Sequence, residues 1–195
     1  MSTNQKSFVT MIDKFLTNND MLVSTKDFLM KLRAALSEET EEDQEEVKIE
    51  DPDNNKIIVS CDASIKKNPG GPASVGVVIQ RPGVPTLSFG HSSNATTNNQ
   101  AEYDAIYSGL TTLVHLVNST DLPVVIRSDS QLVIRHLRKE TQCKDKKLLN
   151  KRDIILELVS QLPMNVSFEW LPRNSTQALE LANFKAQDFL GVPRH

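Results

Sequence analysis

Residues 97–103 read Thr97-Asn98-Asn99-Gln100-Ala101-Glu102-Tyr103, a hydroxyl and a run of amides leading into one acid at the head of a long helical pattern. Upstream, the apolar run Ile57-Ile58-Val59-Ser60-Cys61 is interrupted by Asp62, and Ala63-Ser64-Ile65-Lys66-Lys67-Asn68-Pro69-Gly70-Gly71 follows as a turn-rich segment. Downstream, Val124-Val125-Ile126-Arg127-Ser128-Asp129-Ser130-Gln131 ends a second apolar run on an acid. A charge inside an apolar strand is costly unless it is paired or metal-bound. Each acid has a plain structural alternative. Asp62 reads equally as a buried, hydrogen-bonded carboxylate. Asn99-x-x-Glu102 has capping-box spacing, and Asp129 reads as a helix cap before Ser130. Capping explains each of the last two alone, but it does not ask for three acids embedded in matching flanks.

The surrounding pattern predicts strands over 57–64, 74–81 and 87–92, separated by Asn-Pro-Gly-Gly and Pro-Gly turns, then a helix over 99–117. A strand over 124–129, helices over 130–139 and 148–162, a strand over 166–171 and a helix over 176–190 complete the body. A three-stranded meander followed by alternating helices and strands implies an α/β fold: a five-stranded mixed sheet flanked by helices. Ahead of it, Phe8, Val9, Met11, Ile12, Phe15 and Leu16, then Phe28, Leu29, Leu32, Ala35 and Leu36, recur at helical spacing. Residues 38–53 are acidic and nearly devoid of large apolar side chains, as a solvated linker is. The expected organisation is a helical extension over 1–37, an acidic linker over 38–55 and the main domain over 56–191.

Those motifs resemble type 1 ribonuclease H, especially its plant and archaeal-like branch. The family's opening strand reads Asp-Gly-(Ala/Ser) and then Gly-Asn-Pro-Gly, to which Asp62-Ala63-Ser64 and Lys67-Asn68-Pro69-Gly70 are similar. Thr97 to Glu102 reproduces its Thr-Asn-Asn-x-x-Glu, Asp129-Ser130-Gln131 its Asp-Ser-Gln, and Trp170-Leu171-Pro172-Arg173-Asn174 its His-Val-Pro-Arg segment with Trp in place of His.

The resemblance implies a metal-dependent endonuclease that hydrolyses the RNA strand of an RNA–DNA hybrid, leaving 5′-phosphate and 3′-hydroxyl ends. Asp62, Glu102 and Asp129 are then the catalytic, metal-holding acids, with two Mg2+ ions (or Mn2+) as cofactors. Phosphodiester hydrolysis by two ions about 4 Å apart needs several carboxylates converging on them, and Mg2+ suits hard oxygen ligands while keeping waters. Asn68, Asn98, Asn99 and Gln131 would lie along the substrate groove, where amides both donate to and accept from base edges and 2′-hydroxyls.

At the fourth carboxylate the chain departs from the pattern. The family's Ala-Asp-x-Leu-Ala is matched by Ala178-Leu179-Glu180-Leu181-Ala182, which puts Leu179 where the acid belongs, whereas counting forward from Pro172-Arg173 puts Glu180 there. Leu179 shares a helical face with Ala182 and Ala186, and Glu180 shares one with Asn183 and Gln187, read as a solvated stripe. Leu179 is therefore expected to hold the fourth position, with Glu180 kept as an alternative metal ligand. That departure leaves open a second reading, a catalytically weak or inactive ribonuclease H-like module that binds nucleic acid or serves as a scaffold.

Charge separates the two parts of the chain. Residues 1–55 carry 6 Lys+Arg against 13 Asp+Glu, a net of −7, and residues 56–195 carry 16 against 12, a net of +4. The body is thus the part suited to a polyanion, with Lys66, Lys67 and the run from Arg135 to Arg152 as a phosphate handle. The leader helices are expected to dock a protein partner or pack as an extension. No segment approaches the roughly 20 apolar residues that span a bilayer, so no membrane partner is expected. The amino-terminal residues lack a signal-peptide pattern. Cys61 and Cys143 form neither a disulfide framework nor a zinc motif. The expected location is intracellular, nuclear or cytoplasmic.

Overall fold

The computed structural model describes residues 55–117 and 122–191. The readings made for the helical extension and the acidic linker, residues 1–54, lie outside the described residues. The body runs β1 (Ile57–Ile65), β2 (Ala73–Arg81), β3 (Val84–Ser93), α1 (Asn98–Leu116), β4 (Val124–Ser128), α2 (Gln131–Leu137), α3 (Lys146–Ser160), β5 (Val166–Trp170) and α4 (Gln177–Phe189). Every element expected from the pattern between residues 56 and 191 is present.

One five-stranded sheet has the order β3-β2-β1-β4-β5. β1 pairs antiparallel with β2, and β2 with β3. On its other side β1 pairs parallel with β4, and β4 with β5. β1 and β2 are buried along nearly their whole length, because a helix covers each face of the sheet. That is why their sequences read as continuous apolar runs without strict alternation. At the edge, β3 is more exposed.

Two close backbone approaches fix the helices. On one face Gly109 of α1 sits over β1, where a Cβ would come within 2.7 Å of Val59 Cγ1 and 3.0 Å of Cys61 Sγ. On the other face α4 lies across a trough lined by Gly76 and Gly90, which are direct cross-strand partners. A Cβ on Gly76 would fall 1.8 Å from the Ala182 carbonyl oxygen, and one on Gly90 2.3 Å from that of Lys185. Val78, Ala178, Ala182 and Leu181 close this second core. Side chains alternate across a strand. With Val59 and Cys61 directed at α1, Asp62 belongs to the face that α4 covers, opposite its register partner Gly76. Both cysteines are buried thiols, and no described helix is long and apolar enough to cross a membrane.

Candidate active site

The chain leaves β1 toward β2 on one side and returns to β4 on the other, so the β1/β4 boundary is a topological switch point. In open α/β sheets, ligands bind beyond the carboxyl ends of the strands at such a point. The parallel register runs from Ile57↔Val124 to Ser60↔Arg127. Continued two residues, it brings Asp62 level with Asp129, just past the end of β4. β3 runs parallel to β1, so the head of α1, and with it Glu102, opens at this same edge. One carboxylate oxygen from each of Asp62, Glu102 and Asp129 lies within 4.8 Å of the other two.

Helix capping does not account for these acids. The cap of α1 is Thr97, whose hydroxyl accepts the Gln100 N–H, while the Gln100 side-chain oxygen turns back to accept the Thr96 N–H. Glu102 stands one turn further in, and the capping reading of Asn99-x-x-Glu102 is corrected accordingly. α2 begins after Ser130, which makes no side-chain cap bond. The Asp129 carboxylate caps nothing either: the backbone carbonyl of Asp129, and not its side chain, accepts the Gln131 N–H.

Glu102 is 4% exposed. The Asn98 side-chain amide donates to its Oε1 at 3.3 Å, but its Oε2 is buried with no hydrogen-bond partner. A buried carboxylate oxygen left bare calls for an explanation, and a role as metal ligand is one. Asp62, 3% exposed, accepts the Ala63 N–H at 2.8 Å. Burial, and then the charge of Asp129, push the Asp62 carboxyl up to about 7 against that hydrogen bond and the pull of Arg173. Burial followed by the charges of Asp62 and Asp129 holds Glu102 well above the usual carboxylate range. Burial, and then the charges of Glu102 and Asp62, push the Cys61 thiol up, so it stays protonated. Two buried carboxyls pushed up beside a third acid mark an excess of negative charge, and the donor set fits a hard divalent cation.

Two residues that local pattern did not single out support Asp129. The Trp170 indole N–H, at the end of β5, donates to the Asp129 carbonyl at 3.0 Å. Arg173 places Nε 3.7 Å from Asp129 Oδ2 and donates through Nη2 to Asn183 Oδ1 at 3.3 Å. Asn183 is 7% exposed, which corrects the solvated stripe expected for Glu180, Asn183 and Gln187: the middle of that stripe is turned inward. The resemblance had flagged the segment carrying Trp170 and Arg173, but their partners lie 41 and 10 residues away in sequence.

Neither candidate for the fourth acid joins the cluster. Leu179 is 3% exposed, and the half-buried Glu180 is not among the acids brought together. Of the amides expected at the groove, Asn68 accepts the Asn98 backbone N–H at 3.3 Å, tying the β1–β2 turn to the head of α1. Asn99 and Gln131 are exposed at the same edge. Part of the basic run is already engaged. Arg138 donates to the Phe168 carbonyl at 2.7 Å and approaches Glu140, Lys151 pairs with Asp104, and Arg152 pairs with Asp153. Lys66, Lys67, Lys144, Lys146 and Lys147 stay exposed.

Comparison with known proteins places this arrangement. The family model for RNase H matches residues 54–186. The chain belongs to the ribonuclease H family. Among solved structures, RNase H1 from the halophilic archaeon Halobacterium salinarum is 30% identical with a TM-score of 0.62, covering 70% of this chain and 98% of its own. LC11-RNase H1, in complex with an RNA/DNA hybrid, is 32% identical with a TM-score of 0.61 over 69% of this chain and 99% of its own. The N-terminal RNase H domain of Rv2228c from Mycobacterium tuberculosis is 27% identical with a TM-score of 0.59, over 70% and 96%. These neighbours make residues 54–186 a type 1 ribonuclease H domain, as the sequence resemblance implied.

Proposed function

We propose that this ribonuclease H domain is a divalent-metal-dependent endonuclease that hydrolyses the RNA strand of RNA–DNA hybrids. The observation that carries the reading is the convergence of Asp62, Glu102 and Asp129 at one sheet edge with a buried Glu102 oxygen left bare. Family membership and the hybrid bound by LC11-RNase H1 supply the substrate class. Asp62, Glu102 and Asp129 would hold Mg2+ or Mn2+, with two ions expected. When bound, such ions supply an activated water and charge stabilisation for the leaving oxygen.

The chain's own residues prepare the site for that chemistry. Asn98 orients the Glu102 carboxylate through Oε1 and leaves the buried Oε2 free to take a ligand. Trp170 fixes the backbone from which Asp129 projects. Exposed amides of Asn68, Asn99 and Gln131 stand where a strand bearing 2′-hydroxyls would pass, and the exposed lysines follow the phosphates. Selection of a hybrid over duplex RNA then rests on accepting one ribose strand beside one deoxyribose strand.

With Leu at position 179 and Glu180 not among the acids brought together, the described residues give the cluster three acids and no fourth, which favours a second reading, a weakly active or silent hybrid-binding module. One experiment separates the two. The purified chain is incubated with labelled hybrid, single-stranded RNA and duplex RNA, in Mg2+, in Mn2+ and in chelator. Cleavage confined to the hybrid, stopped by chelator and lost in Asp62→Asn while binding persists, supports the enzyme. Binding without cleavage in either metal supports the module.

A further inference from the structure

Arg173 lies between Asp129 and α4, ion-paired with the one and hydrogen-bonded to the other: its Nε stands 3.7 Å from Asp129 Oδ2 and its Nη2 donates to Asn183 Oδ1 at 3.3 Å. This is the side from which a fourth acid on α4 would be expected to enter, and here the helix offers buried Leu179 and a half-buried Glu180 outside the cluster. Asn183 is the only buried polar side chain of α4. Its carbonyl oxygen accepts twice, from Arg173 and from Gln187 Nε2 at 3.1 Å, one turn on. A planar guanidinium carries several donors in a fixed fork, so one arginine can engage a carboxylate and an amide together. The Arg173 side chain is otherwise 61% exposed. Without an anchor, rotamer entropy would carry the charge away into solvent. Its positive charge also reaches Asp62 and Glu102.

We infer that Asn183 is a positioning residue that holds the Arg173 guanidinium against the Asp62–Glu102–Asp129 cluster, setting a cation where the type 1 pattern sets its fourth carboxylate. The consequence is electrostatic. The cluster keeps three carboxylates and gains one fixed positive charge, so divalent cations are held less tightly than the three acids alone would hold them. The inference rests on the metal-site reading for this consequence, but not for the positioning itself.

The test uses the full chain and two readouts. The first is the Arg173 Nε–H resonance, followed by NMR in the cation-free protein. It is expected to be distinct and protected from exchange in the wild type, lost to averaging in Asn183→Ala, and retained in Asn183→Asp, which keeps the acceptor. The second is Mg2+ binding by calorimetry. Arg173→Ala should tighten binding about fivefold, the upper range for a partly exposed charge. Asn183→Ala should give part of that gain, and nothing further when added to Arg173→Ala. An Arg173 resonance unchanged by Asn183→Ala overturns the proposal, as does a change in Mg2+ affinity of equal size in both backgrounds. Should Asn183→Ala melt below the measuring temperature, Asn183→Ser replaces it in both measurements. If the wild type takes up no Mg2+ while the resonance responds as expected, the metal-dependent reading fails and the positioning stands.

Discussion

At the scale of single residues, the metal-free site is built against itself. Asp62 is held at about 7 in the folded chain against an ordinary value of 3.8. Between those values the folded state keeps a proton that the unfolded state has released, so rising pH favours unfolding. The stabilising contribution is complete below about pH 4 and gone above about pH 7, and Glu102 shifts in the same direction. Thermal melts of the metal-free protein should therefore fall across that window more steeply in the wild type than in Asp62→Asn. At pH 8 the substitution should stabilise by about 2–4 kcal/mol. Added Mg2+ should raise the wild-type melt at pH 8 and leave Asp62→Asn nearly unmoved. Parallel wild-type and mutant curves, with and without Mg2+, would mean that Asp62 is not the strained group. Leu179 allows a companion test. Buried as it is, Leu179→Asp should cost about 2–4 kcal/mol in chelator, as an uncompensated buried carboxylate does. If position 179 faces the acids, Mg2+ recovers much of that loss and lowers the cation concentration needed for cleavage. Glu180→Gln should alter neither quantity. Loss of cleavage in a folded Glu180→Gln protein would make Glu180 the fourth ligand.

Among the elements, α4 depends on having no side chain beneath it. Gly76 and Gly90 face each other across β2 and β3, and a methyl on either would meet helix backbone, which cannot swing aside. Gly76→Ala should therefore destabilise by roughly 3 kcal/mol or more, the range for overpacking a rigid contact. Gly109→Ala meets the side chains of Val59 and Cys61, which have some freedom, and should cost less. Chemical denaturation of the two variants checks the order, and equal losses would contradict it. The elements themselves were legible in the sequence because the apolar runs of β1 and β4 end at Asp62 and Asp129, and turn residues mark each strand's limit. The cap of α1 was not. Thr97, Asn98 and Asn99 can all cap a helix, and local spacing cannot say which one does. Asn183 misled for a related reason. A polar residue spaced like its exposed neighbours reads as solvated unless its distant partner, Arg173, is known. The acid cluster could be read from motifs, whereas the groups that hold Asp129 and Arg173 in place could not, since those bonds join separate elements.

On the scale of the whole molecule, charge is divided so that the chain as a unit is repelled by a polyanion while its ribonuclease H domain is attracted. The full sequence has a formal charge of −3, of which residues 1–55 contribute −7 and the remainder +4. Long-range steering responds to this sum and is screened over about 10 Å at 0.1 M salt. We therefore expect a fragment of residues 54–195, which contains the whole family match, to associate with an RNA–DNA hybrid faster than the full chain by about tenfold at low salt. The two rates should converge as salt screens the acidic residues. Turnover at saturating hybrid should be equal for both, because Asp62, Glu102 and Asp129 all lie within the fragment. Replacing Lys146 and Lys147 with Ala in that fragment should flatten the log–log dependence of affinity on salt by roughly one to two units, if both lysines neutralise phosphates. Stopped-flow association at several salt concentrations checks the two rate expectations, steady-state cleavage of saturating hybrid checks the turnover, and equilibrium binding over the same salt range checks the slope. A rate gap that persists undiminished at high salt would mean that residues 1–53 act on binding through something other than their charge.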